Sequence, residues 1–256
     1  MLLAIDIGNT TVQLGLFEGP RLGPTWRIAT AHDRLADEYG VLLLALLRTR
    51  GLDVSAIRSV IIASVVPALI PVFQDLARVY FSVEPMLVES GLKTGLRITY
   101  DSPREVGADR VVDAVAALAS YGPPPLIVVD FGTATVFDAI DREGSYLGGA
   151  IAPGIGVAAD ALFERASRLS RVELQRPENA IGRNTASAVQ AGIIFGYVGL
   201  VEGIIERFKA ELGGGRVIGT GGWAERIAKE TTAVEVVAPD LTLEGLRLIH
   251  EMNAGG

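Results

Sequence analysis

Apolar positions along the chain follow two periods. Leu2-Leu3-Ala4-Ile5 and Leu126-Ile127-Val128-Val129 are unbroken apolar runs of strand length, and each leads into an Asp-x-Gly turn. After the first turn, Val12-Gln13-Leu14-Gly15-Leu16-Phe17 alternates roughly, so Met1 to Gly19 reads as a hairpin. Asp37 to Arg50 reads as a helix ended near Gly51. Arg58 to Val66 is a strand running into Pro67. Helix over 67–80 and a short strand over 83–88 follow. Ser102-Pro103-Arg104-Glu105 has the form of a helix start, with a Ser cap, Pro at the first position and Glu three residues on. Gly107 interrupts it, so the helix can also begin a few residues later, and it runs to about Tyr121.

Gly122-Pro123-Pro124-Pro125 is the clearest break, and the domain boundary is placed there, giving domains 1–121 and 122–256. The second half repeats the order of the first. A hairpin spans Leu126 to Asp141, Tyr146 to Ile151 is a strand, and a helix starts at about Val157. A long helix covers roughly Asn184 to Leu212. Arg216 to Gly219 is a strand that turns at Thr220-Gly221-Gly222 into another helix, and a strand over 234–237 and a helix over 243–253 close the chain. The strand before Ser64 corresponds to the strand before Thr220, so the repeat extends past the hairpins.

The two turns share more than glycine. Asp6-Ile7-Gly8-Asn9-Thr10-Thr11-Val12 and Asp130-Phe131-Gly132-Thr133-Ala134-Thr135-Val136 keep Asp, Gly, Thr and Val in one register, 124 positions apart. Backbone N–H groups and hydroxyls suit a phosphate, and a carboxylate suits its Mg²⁺. One copy alone is an ordinary hairpin. Two copies in the two halves point to a duplicated domain with nucleotide phosphates held between the halves.

The long helix is nearly apolar from Ala186 to Ile205 and carries Gly192, Gly196, Gly199 and Gly203. That spacing resembles a membrane helix-pairing pattern. Gln190 and Glu202 inside the run favour instead a buried helix in close contact with another backbone, such as a dimer partner.

Composition removes several classes. Net charge is −7, with no basic run and few aromatics, which argues against nucleic acid as a partner. Without cysteine there is no disulfide, thiol chemistry or Cys-rich zinc site. His32 and His250 stand apart and read as surface residues. The N-terminus enters a strand at once, with no basic leader, so a soluble cytoplasmic protein is expected. None of the lysines, Lys93, Lys209 and Lys229, lies in a P-loop.

Two segments imitate a dinucleotide fingerprint, Gly154-Ile155-Gly156-Val157-Ala158-Ala159 and Gly219-Thr220-Gly221-Gly222-Trp223-Ala224. Neither opens its half, where that fingerprint belongs. Asp109, beside Arg110 near a helix start, is either an ordinary solvated pair member or a general base kept ionised by the dipole and by Arg110.

In order along the chain stand Asp6-Ile7-Gly8-Asn9-Thr10, Gly107-Ala108-Asp109-Arg110, Asp130-Phe131-Gly132-Thr133-Ala134, Gly148-Gly149-Ala150-Ile151-Ala152-Pro153-Gly154 and Asn184-Thr185. Together they closely resemble type III pantothenate kinase. The resemblance implies an α/β fold of the sugar-kinase/actin/Hsp70 kind, two duplicated actin-like ATPase (ribonuclease H-like) domains with a cleft between them. It implies transfer of the ATP γ-phosphoryl group to pantothenate, the first step of coenzyme A synthesis. Carried onto this chain, Asp6, Ile7, Gly8, Asn9, Thr10, Thr11, Val12 and Gln13 form the first phosphate loop. Asp6 also helps hold Mg²⁺, and Thr133 binds ATP in the second loop. Asp130 takes a monovalent cation, potassium or ammonium. Gly107, Ala108, Asp109 and Arg110 form the pantothenate loop, with Asp109 as proton acceptor. Tyr100 and Thr185 are further substrate positions. Gln13 stands where several relatives carry Lys. The resemblance also implies a homodimer, which matches the glycine-lined helix.

Two other readings remain at this point. One is a different small-molecule kinase of the same superfold. The other is a non-catalytic transcription accessory factor, which intact Asp6, Asp109 and Asp130 and the acidic charge disfavour.

Overall fold

A computed structural model describes residues 1–166 and 169–254. They divide into two compact units. The first is built from Met1–Leu96, Asp101–Ala119 and Asp240–Gly256, and the second from Arg97–Tyr100 and Ser120–Pro239. The expected boundary near Tyr121 therefore marks one crossing of the chain, but the final segment returns to the first unit instead of staying in the second. Packing explains this return. Leu243, Leu246 and Ile249 are fully buried against Leu2, Ala4, Ile61 and Ala63, a face of the first sheet that would otherwise lie open.

The first unit contains β1 (Leu2–Ile7), β2 (Thr11–Glu18), β3 (Arg21–Ala29), α1 (Ala36–Thr49), β4 (Ser59–Ser64), α2 (Ile70–Phe81) and β5 (Met86–Leu87). The short strand β6 (Arg97–Ile98) belongs to the second unit, and α3 (Ala108–Ser120) returns to the first. The second unit continues with β7 (Leu126–Phe131), β8 (Ala134–Ile140), β9 (Ser145–Pro153), α4 (Ile155–Arg165), α5 (Thr185–Leu212), β10 (Arg216–Thr220), α6 (Ala224–Ala228) and β11 (Val236–Val237). The last helix, α7 (Leu241–Asn253), packs in the first unit.

The two sheets repeat one order. The first runs β3-β2-β1-β4-β5, and the second runs β11-β10-β7-β8-β9 with β6 added beyond β9. In each, the hairpin and the strand after it are antiparallel, while the strand on the other side of the first is parallel. Both faces of β1 and β7 are covered, which is why they read as unbroken apolar runs. β3 has no counterpart in the sequence reading. Gly23 and Pro24 break its alternation, and Pro is tolerated because β3 is an edge strand.

The helix expected from Ser102 divides in two. Pro103–Glu105 makes a single 3-10 turn, and α3 proper begins after Gly107. The long helix α5 starts under an Asn184 cap, whose side chain accepts the Ser187 amide at 2.9 Å, and ends at Gly213. One stripe of it, including Ile194, Tyr197, Val201 and Ile205, is buried in the second unit's core. The glycines turn the other way. Gly192, Gly196 and Gly199 are exposed, and a Cβ at any of them would meet nothing within 4 Å. The expected close backbone contact is thus not supplied by the described residues of this chain.

The fingerprint readings also find their explanation. Gly154 follows β9, which is antiparallel to β8, so no dinucleotide-binding unit forms there. Gly221, at φ +89°, lies so close to β7 that a Cβ would strike the Asp130 carboxylate and the Phe131 backbone.

Candidate active site

In the first unit the turn Gly8-Asn9-Thr10 joins β1 to β2. The Gly8 amide donates to the Thr11 carbonyl at 3.1 Å, closing the hairpin. Thr30, just past β3, holds the turn from one side. Its hydroxyl donates to the Gly8 carbonyl at 2.7 Å and its amide to the Thr10 carbonyl at 3.0 Å. Asn9 and Thr10 are exposed at the tip, and Asp6 and Gln13 face each other across the strand pair. Ile7 and Val12 are both 0 % exposed. Their side chains belong to the core, so only their backbone is available to a ligand.

The second unit repeats this turn with one residue fewer. Ile7 pairs with Val12, leaving Gly8 to Thr11 outside the pairing, whereas Phe131 pairs with Thr135, leaving only Gly132, Thr133 and Ala134. Every residue after the second turn therefore occupies the place of the residue that follows its counterpart in the first. Thr135, 0 % exposed, takes the buried position of Val12, and Val136 faces Asp130 where Gln13 faces Asp6. The common register read from sequence holds through the strands and glycines but not beyond the turns. The Thr135 hydroxyl meets the Tyr197 hydroxyl of α5 in the core. Burial, with the negative charge of Asp130 nearby, pushes the Tyr197 phenol well above its ordinary range.

Thr133 is exposed at the tip of this second turn. The turn is pressed by Gly154, whose amide donates to the Thr133 carbonyl at 3.0 Å. A Cβ on Gly154 would strike the carbonyl oxygens of Gly132 and Thr133. Gly154 and Thr30 thus hold the two turns in related ways, and neither was singled out as a support by the sequence pattern.

Asp109 sits in the first turn of α3. Its carboxylate folds back over Gly107, where a Cβ would collide with Oδ1, and Oδ1 accepts the Arg110 backbone N–H at 2.8 Å. Part of the residue's surface reaches solvent, yet the protein atoms around the carboxylate desolvate it strongly. Burial pushes its pKa above the ordinary carboxylate value, and the Arg110 amide and guanidinium pull it back only in part. The sequence-based expectation of a low pKa is therefore corrected: burial outweighs the charge and dipole that the neighbours suggested.

Tyr100 follows β6, and its ring centroid lies 6.5 Å from that of the buried Tyr146. Thr185 opens α5 and lines a shallow groove of about 670 Å³ with Asn184, Ala188 and Gly192. His32 is exposed, while His250 is half-buried on α7, so the surface reading fits only the first.

Among the described residues no three His, Cys, Asp or Glu side chains cluster as a metal cage. The donor sets present fit a looser kind of site. Mg²⁺ is commonly held by one or two carboxylates together with substrate phosphates and water, and Asp6 provides one such carboxylate next to the first turn. Asp130 places its carboxylate between Gly132 and Gly221, in a cradle that a Cβ on Gly221 would fill. A carboxylate in such a cradle suits a hard cation.

Comparison with known proteins gives a consistent picture. Residues 2–207 match the family model of type III pantothenate kinase. A type III pantothenate kinase of Moorella thermoacetica is 52% identical over 254 residues, covering 99% of this chain and 100% of that protein. One from Geobacter sulfurreducens is 53% identical over 254 residues, covering 99% of each. Among solved structures, a conserved protein of the Baf family of transcriptional activators from Campylobacter jejuni matches with TM-score 0.64 and 18% identity over 99% of this chain and 100% of that one. A protein described as a 2-dehydro-3-deoxygalactonokinase from Sinorhizobium meliloti matches with TM-score 0.63 and 14% identity over 100% and 98%. At such identities these two structures bear on the fold alone, which is the two-domain actin-like one.

Proposed function

The chain belongs to the type III pantothenate kinase family, and from that premise we propose how its residues share the work. It phosphorylates pantothenate with ATP, giving 4'-phosphopantothenate, the first step of coenzyme A synthesis. The observation that carries this reading is identity of about half over nearly the whole chain, with both phosphate turns present.

The turn from Asp6 to Gln13 binds ATP phosphates through the backbone of Ile7, Gly8, Thr11 and Val12 and the polar atoms of Asn9, Thr10 and Gln13. Thr133 binds them from the second turn. Exposed tips held from behind by Thr30 and Gly154 support this assignment, because phosphoryl transfer depends on fixed donors around the phosphates. Asp6 is the carboxylate for Mg²⁺, and Asp130 the one for potassium or ammonium. These ions supply neutralisation of phosphate charge when bound.

Gly107, Ala108, Asp109, Arg110, Tyr100 and Thr185 bind pantothenate. In the reaction its primary hydroxyl oxygen bonds to the γ-phosphorus as the bond to the ADP oxygen breaks, and the hydroxyl proton passes to Asp109. With Oδ1 accepting from the Arg110 amide, Oδ2 is the proton acceptor. A carboxyl lifted by burial is a stronger base than a solvated one, which favours this role.

The enzyme acts as a homodimer joined along the glycine face of α5. Open space over Gly192, Gly196 and Gly199 supports that arrangement, since glycines on an exposed helix face otherwise only weaken it. The protein is cytoplasmic and works without nucleic acid or membrane. α5 is long and apolar enough to cross a membrane, but its buried stripe and the family's soluble metabolic role support a soluble reading. The test is ATP-dependent conversion of pantothenate by the purified protein, with and without potassium. No phosphopantothenate in either buffer would refute the assignment.

A further inference from the structure

β6 is a two-residue strand with one purpose visible in its contacts. It pairs with β9, Ile98 opposite Tyr146, and then Thr99 donates both its amide and its hydroxyl to the Tyr146 carbonyl, at 2.9 and 3.0 Å. The next residue, Tyr100, is thereby carried over Gly148. A Cβ on Gly148 would lie 2.9 Å from Cδ2 and 3.0 Å from Cε2 of the Tyr100 ring, closer than a tight contact allows. Gly148 also holds φ at +133°, a conformation that a side chain resists. Beside this contact stands the fully buried Tyr146 ring, tilted 57° to Tyr100. Its hydroxyl donates to Asp138 Oδ1 at 2.7 Å. Asp138 is 3 % exposed, and a carboxylate so buried is costly unless its hydrogen bonds are kept. The Asp138 carboxylate thus fixes the Tyr146 phenol, the Tyr146 ring flanks Tyr100, and Gly148 leaves the room in which the Tyr100 ring lies.

We infer that Gly148, Tyr146 and Asp138 are positioning residues that set the Tyr100 ring for the acceptor substrate. None of them has a role in the phosphate turns or in proton transfer. The inference rests on the assignment of Tyr100 to pantothenate binding. It explains why a buried acidic residue is kept in the middle of β8 and why the chain spends a strand on two residues.

The test is steady-state kinetics of the full-length enzyme. Gly148→Ala should raise the pantothenate KM by about ten- to a hundredfold, the scale expected for misplacing a contact by roughly an ångström, and leave the ATP KM unchanged. In a Tyr100→Ala background the same change should no longer move the pantothenate KM, because the ring it displaces is gone. Backbone strain alone would act equally in both backgrounds. Tyr146→Phe keeps the ring and removes the hydroxyl that bonds Asp138. It should raise the pantothenate KM severalfold, and it decides the matter if Gly148→Ala does not fold. If Tyr100→Ala raises the pantothenate KM while Gly148→Ala and Tyr146→Phe leave it at the wild-type value, the positioning role is wrong. An effect of Gly148→Ala of equal size with and without Tyr100 overturns it too. If Tyr100→Ala itself leaves that KM unchanged, the substrate assignment of Tyr100 falls, and the positioning role with it.

Discussion

Thr30 holds Gly8 at 2.7 Å through its hydroxyl, from just past a strand that the sequence pattern does not reveal. The first turn is thus fixed from outside its own hairpin. Thr30→Val keeps the size and the amide bond to Thr10 but removes the donor. A typical hydrogen bond of about 1 kcal/mol corresponds to a rise of roughly fivefold in the ATP KM. The pantothenate KM should stay unchanged. An unchanged ATP KM would show that the hairpin holds its shape unaided.

Asp109→Asn keeps the shape of the side chain and its acceptor for the Arg110 amide. kcat should fall by about 10²–10⁴, the usual loss for a positioned acid–base group. Burial raises the wild-type pKa, so kcat should decline on the acid side with a midpoint above the ordinary carboxylate range. Stability has the opposite sign. Between the ordinary and the raised pKa the folded state binds more protons than the unfolded one, so this group removes stability as pH rises through that window. The Asn variant should therefore melt no lower than wild type at pH 7, with the difference vanishing below the ordinary carboxylate pKa. Undiminished kcat would leave Asp109 as an ordinary helix-start residue.

Tyr197→Phe leaves the buried Thr135 hydroxyl without its phenol partner. The loss should be about 1–3 kcal/mol by urea unfolding, and adding Thr135→Val should recover part of it. Strict additivity of the two changes would mean the hydroxyls contribute separately.

The cation assignment is read from salt dependence. In sodium-only buffer, adding potassium or ammonium should raise the wild-type rate strongly, and Asp130→Asn should abolish the increase. Equal rates in sodium and potassium would remove the site.

The glycine face gives a prediction in which sign matters. A free exposed helix gains up to about 1 kcal/mol from each Gly→Ala change. If a second copy packs there, Gly196→Ala should instead lower the melting temperature, and Gly196→Leu should yield monomers by light scattering. A monomeric wild type with a more stable Gly196→Ala variant would end the dimer assignment.

What the sequence made legible was local. The apolar runs of β1 and β7, the Pro cluster before β7 and the extent of the long helix α5 follow from side chains next to one another. The one-residue difference between the turns was hidden because Thr11 and Thr135 align in sequence, while strand pairing depends on which residue first closes the hairpin. The Asp109 pKa was misjudged for a related reason. Arg110 and the helix start are neighbours in the chain, whereas the atoms that desolvate the carboxylate are brought there by folding. Thr30, just past β3, Gly154, just past β9, and Tyr146, within β9, support candidate positions on other elements, a relation that only strand order reveals.

The return of α7 has a consequence for the order in which this protein can be made. β1, β2 and β4 leave the ribosome early, but Leu243, Leu246 and Ile249, which cover one face of that sheet, follow the whole of the second unit in the chain. The second unit is nearly continuous and can close its core as it emerges. The first must wait for α7 to emerge before Leu2, Ala4, Ile61 and Ala63 are covered by Leu243, Leu246 and Ile249. The unit that starts first is thus finished after the one that follows it.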